Sequence, residues 1–248
     1  MDNSGLAIES AEFMGKSGTA RAISRTIGSV KITDVRIAAE KKSNSISSDL
    51  GKAPGRYITL ECEPHAEGLT ALLQRAISQM LPTCGRLFAV GLGNPDITAD
   101  SLGANVIRGI TARRGKRYSL SAIETDVASK TGLETIKLVR AAARELHADC
   151  VIAIDALACR NPRSIGKTIQ ITDSGIVPGS GADASNTELS RRTLGISVAA
   201  VGVPTMTLLS AVTGNRSDKD FHVTAQDCDV LIKMWSEIIS GAVDLIVS

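Results

Sequence analysis

Two aspartates stand out in this 248-residue chain because of what precedes them. Asp155 follows Val151, Ile152, Ala153 and Ile154, a run made for burial. An ionised carboxylate in such a place costs several kcal/mol unless it is paired or used. Asp100, in "ITADSLG", stands at the start of an expected helix, where a carboxylate can also cap amide groups and favour the helix dipole. Each aspartate follows its own buried strand, so both can reach one carboxyl edge of an open sheet, where ligand crevices form. Two carboxylates converging there make either an acid/base pair sharing a proton or a divalent-metal site.

Other motifs offer less. "GLGNPD" (91–96) follows a strand and precedes a helix, but Asp96 occupies the third glycine position of a dinucleotide loop and would repel a pyrophosphate. A tight strand-to-loop turn is the better account. No phosphate-loop ending and no serine nucleophile elbow occur. His65, His147 and His222 lie far apart without metal-ligand spacing, so a surface or packing role is expected for each. "TDSGIVPGSG" (172–181) can present backbone N–H groups to a substrate carbonyl, or its glycines can serve only the loop's own turns.

These residues need elements to position them. "SVKITDVRIA" alternates like a half-exposed strand, and "RYITLEC" reads as its partner. "EGLTALLQRAISQML" has helical spacing up to Pro82. Short buried strands and helices then alternate: "RLFAV", a helix over about 101–110, "RYSLSAI", the helix "LETIKLVRAAAREL", "CVIAI", "KTIQIT" and "ISVAAVGVP". An amphipathic helix around Trp235 closes the chain. The pattern predicts an α/β fold with a mostly parallel or mixed central sheet flanked by helices. Residues 1–28 read as an N-terminal arm and 29–248 as one domain.

Lys and Arg (28) nearly balance Asp and Glu (26), giving a net charge of +2 and no field that singles out nucleic acid or an anionic membrane as partner. Five cysteines, an odd number without a CxxC pair, suggest free thiols in a reducing cytoplasm. No apolar run is long enough to span a bilayer.

Taken together, "GLGN", "TADSLG", "TGLET", "VIAIDALACR", "TIQITDSGIVPGSG", "ELSRRTLGI" and "AVGVPT" resemble the germination protease family of spore-forming bacteria, in order from about Leu87 to Val212. The resemblance implies an atypical aspartic endopeptidase that begins the degradation of small acid-soluble spore proteins in the spore core. It also implies a zymogen, a homotetramer, and a fold similar to hydrogenase maturation proteases. The family's essential aspartates match Asp100 and Asp155. Its preference for acidic residues around the cut makes Arg160 and Arg163 candidates for reading substrate carboxylates, with Ser174, Gly175, Gly179, Ser180 and Gly181 as substrate-binding loop residues. On this basis no cofactor, metal, nucleic acid or membrane is called for. A metal-dependent maturation-type peptidase and a non-catalytic spore-protein binder are the alternatives. Gly5 precedes Leu6 where the family's self-cleavage follows an acidic residue, and the segment between the aspartates is shorter than usual.

Overall fold

Continuous apolar runs buried on both faces form the centre of a ten-stranded mixed sheet in the computed structural model, which describes residues 6–8, 20–38, 52–83, 85–178, 187–218 and 221–248. The strands are β1 (Ala20–Ile27), β2 (Val30–Ile37), β3 (Gly55–Glu61), β4 (Gly85–Gly91), β5 (Arg113–Arg114), β6 (Tyr118–Glu124), β7 (Cys150–Cys159), β8 (Thr168–Thr172), β9 (Ser197–Leu208) and β10 (His222–Thr224). Their order is β1-β2-β3-β8-β9-β7-β4-β6-β5, with β10 paired to β9. The pairs β6–β4, β4–β7 and β7–β9 are parallel, and the outer pairs antiparallel.

Helices cover both faces. On one lie α1 (Leu69–Ser78), α2 (Leu102–Arg108) and α4 (Cys228–Val247), packed over the larger core with Ile152, Ile154, Ile169 and Val201. Each such fully buried aliphatic side chain contributes about 1.5–3 kcal/mol. Trp235 of α4 is wholly buried and donates its Nε1–H to the Gly166 carbonyl at 2.8 Å. On the other face, α3 (Thr135–Glu145) packs Ile136, Val139 and Ala143 against Phe88, Val151 and Ala153. Beside this smaller core, Leu6 packs on Leu157 and Cys159, and Ala7 donates its N–H to Gln170 Oε1 at 2.5 Å.

Residues 20–27, read from sequence as part of the arm, form β1. Their side chains are almost all exposed, Ile23 at 64%, so this strand holds through its ladder to β2 rather than through burial. Asp155 corrects the expected strand end. It sits inside β7, because "ALAC" carries the strand on to Cys159.

Candidate active site

The end of β4 makes the site. The strand stops at Gly91, opposite Ile154 of β7, and the Leu92 N–H still bonds the Ile154 carbonyl at 2.8 Å. Asp155 is the next residue of β7. It keeps β9 as a neighbour, paired with Gly202, but has lost β4 on its other side. It is therefore mid-strand in its own element and at the carboxyl edge with respect to β4. Only 3% of it is exposed, and Oδ1 accepts the Ala156 N–H at 3.0 Å. By strand alternation its side chain rises on the face of Val151, Ala153 and Leu157.

Asp100 closes a 3-10 turn, Thr98–Asp100, just before α2. It does not cap that helix. Ser101 stands at the N-cap without a side-chain capping bond, its hydroxyl donating back to the Thr98 carbonyl, and the Asp100 carboxylate accepts the Asn94 N–H at 2.6 Å. The path between the two acids is thus short: Asp155 follows Ile154, Leu92 bonds Ile154, and Asn94, two residues on, bonds Asp100. The turn of Asp100 approaches the end of β4 from the α4 side, whereas the Asp155 side chain rises on the α3 face.

The glycines of "GLGN" serve this approach. A Cβ on Gly91 would stand 2.3 Å from the Gly103 carbonyl oxygen, and one on Gly103 would stand 2.3 Å from Leu92 backbone atoms. Two bare Cα atoms let α2 press onto the strand ends. Gly93, at φ 98°, supplies the bend that faces Asp100. The motif is a close-packing turn, as expected, with no role left for a pyrophosphate.

Burial raises the Asp100 pKa above the usual carboxylate range; the Asn94 N–H opposes this and the nearby Asp126 carboxylate adds to it. Lys130 holds Asp126 at 2.7 Å and Asp96 at 2.6 Å, tying the loops on both sides of Asp100. Burial pushes the Cys150 thiol up to about 12 and the Cys62 thiol to about 11, which keeps both protonated at neutral pH. All three histidines are exposed.

On the face of Asp155 a pocket opens between β3, β8 and β9, lined among others by Tyr57, Leu157, Gln170, Ser174, Gly175 and Gly202. Of the loop residues expected to bind substrate, Ser174 and Gly175 line this pocket. The loop amides are less available than expected: Ser174 N–H goes to Thr172 Oγ1 at 3.0 Å and Ile176 N–H to the Leu189 carbonyl at 2.9 Å. Gly179, Ser180 and Gly181 lie outside the described residues. Arg160 and Arg163 are both exposed. Arg163 sits within a 3-10 turn, Pro162–Ser164, and lines a different cleft with Glu63, Lys167 and Asp227. Gln170 and Gly202 also line the pocket of Ser174 and Gly175, and an amide and a glycine inside apolar strands give little sign of it in the sequence. Among the described residues no group of three or more His, Cys, Asp or Glu side chains is placed to hold a metal ion.

A model of the germination protease family matches residues 14–227, most of the chain and both aspartates. The chain belongs to the germination protease family. The germination protease of Clostridium tetani (strain Massachusetts / E88) is 33% identical over 211 residues, covering 77% of this chain and 64% of that protein. The germination protease of Bacillus cereus (strain AH187) is 37% identical over 196 residues, covering 69% and 53%. This member of the family spans between about half and two thirds of the length of these relatives. Among solved structures, the [NiFe] hydrogenase maturation protease HycI from Thermococcus kodakarensis KOD1 superposes with a TM-score of 0.42 at 16% identity, over 71% of this chain and 98% of that one. The likeness is one of outline.

Proposed function

We propose that this chain is an endopeptidase that begins the breakdown of small acid-soluble spore proteins during germination, with Asp100 and Asp155 as its catalytic pair. One observation supports the reading: Asp155 begins where β4 stops, and the loop that leaves β4 there bonds the Asp100 carboxylate through the Asn94 N–H. Family membership supports peptide bonds as the substrate class.

Two like charges in a partly dry cleft do not both ionise cheaply, so the pair shares a proton at working pH. Burial and the Asp126 carboxylate raise the Asp100 pKa, which suits it to hold that proton. Asp155 then takes a proton from water as the water oxygen attacks the scissile carbonyl carbon, while Asp100 donates to the carbonyl oxygen. Collapse of the gem-diol breaks the C–N bond as the proton held by Asp155 passes to the leaving nitrogen and a gem-diol hydroxyl returns its proton to Asp100, leaving the carboxylic acid and the amine. Loop amides among 174–181 other than those of Ser174 and Ile176, which are already bonded, polarise the scissile carbonyl, and Arg160 and Arg163 read acidic residues flanking the cut. The homotetramer, zymogen control and spore-core location belong to the same proposal.

The test is incubation with an acid-soluble spore protein, with and without a chelator, mapping new termini by mass. Defined internal cuts that survive chelation are expected. Loss of cutting on chelation would favour a metal-dependent peptidase, and binding without new termini would reject catalysis.

A further inference from the structure

β9 carries one residue more than its partner where it passes Asp155. Leu157 pairs with Pro204 and Ala158 with Met206, leaving Thr205 as the extra residue of a bulge. Bulges re-aim side chains beside sites. This one aims the Thr205 hydroxyl, in a residue only 4% exposed, at the Ala99 carbonyl, to which it donates at 2.5 Å.

Ala99 precedes Asp100. Within the turn, the Ile97 carbonyl accepts from Asp100 N–H, the Thr98 carbonyl from Ser101, and the Ser101 carbonyl from Asn105. The Ala99 carbonyl is the one bonded from outside, by a strand that also flanks Asp155. The bulge is itself fixed, since Thr224 Oγ1 donates to the Thr205 carbonyl at 2.6 Å and Gly166 N–H to the Pro204 carbonyl at 2.8 Å.

We infer that Thr205 is a positioning residue: its hydroxyl locks the turn bearing Asp100 to the strand beside Asp155 and so sets the spacing of the two acids. This rests on the proposed reaction, yet it has a readout of its own. The Asn94 N–H bonded to the Asp100 carboxylate is protected from hydrogen exchange only while the turn is in place.

Thr205→Val removes the donor at nearly constant volume, and Thr205→Ser keeps it. Amide exchange at Asn94, followed by NMR, is expected to quicken about tenfold in Thr205→Val and to stay at the parent rate in Thr205→Ser. With an acid-soluble spore protein as substrate, kcat should fall about ten- to a hundredfold in Thr205→Val, with KM within about twofold, and recover in Thr205→Ser. Equal Asn94 protection in all three proteins overturns the inference, as does faster exchange throughout β9 and α2 in both variants, which marks general loosening. A parent chain that cleaves nothing refutes the proposed reaction and leaves the exchange comparison to decide Thr205 alone.

Discussion

The two aspartates are held in opposite ways. Asp155 is part of a ten-residue strand, between the buried Ile154 and the half-buried Ala156, and its backbone cannot move without the sheet. Asp100 rides on a single 3-10 turn fixed by separate hydrogen bonds from Asn94 and Thr205. A site built this way has one rigid member and one adjustable member. Small changes around Asp100 should therefore tune the chemistry, whereas changes at Asp155 should switch it off.

The largest expected effect is at the rigid member. Asp155→Asn keeps the fold and loses proteolysis by at least about a hundredfold, the scale of acid/base groups, measured by steady-state cleavage with circular dichroism as the fold control. Retained cleavage would remove Asp155 from the reaction. Next comes the contact that seats the adjustable member. Gly103→Ala puts a methyl group 2.3 Å from Leu92 backbone atoms, so it should cost about 1–3 kcal/mol in denaturant unfolding and lower kcat by displacing Asp100.

A third test separates stability from chemistry. The folded-state pKa of Asp100 is raised, so the native state binds more protons than the unfolded one between the two values, and stability falls as pH rises through that window. Asp100→Asn removes this loss. Its melting temperature at neutral pH should exceed the parent's by a few degrees while activity is lost, and the gain should vanish once the pH is below the ordinary aspartate value. A variant no more stable at pH 7 than at pH 3, relative to the parent, would contradict the assigned direction. The smallest effect concerns Asp126. Its carboxylate helps raise Asp100, so Asp126→Asn should move the Asp100 limb of the pH–rate profile toward lower pH with little change in maximal rate.

Much of this was legible in the residues. Apolar runs ending near Gly91 and containing Asp155 located the central strands, and the helical spacings around Leu73, Val139 and Trp235 located three of the helices. β1 was not legible, because "ARAISRTI" buries almost nothing and draws its order from pairing. The continuation of β7 past Asp155 was hidden by "ALACR", which reads equally well as a strand or a turn. The capping role expected of Asp100 failed because its competitor, the Asn94 amide, comes from the loop after β4, a tertiary contact that no local pattern encodes. The bulge at Thr205 left only a proline as a trace, and Arg163 was turned toward another cleft by a short turn of its own.

The chain has a single tryptophan, and the fold encloses it completely against Gly166 at the docking of α4. Emission excited at that indole is therefore an internal lamp on the opposite face from the Asp155 side chain. A site variant whose spectrum keeps the blue edge of a water-free indole has its closing helix seated, and any loss of cleavage in it is a matter of chemistry rather than of unfolding.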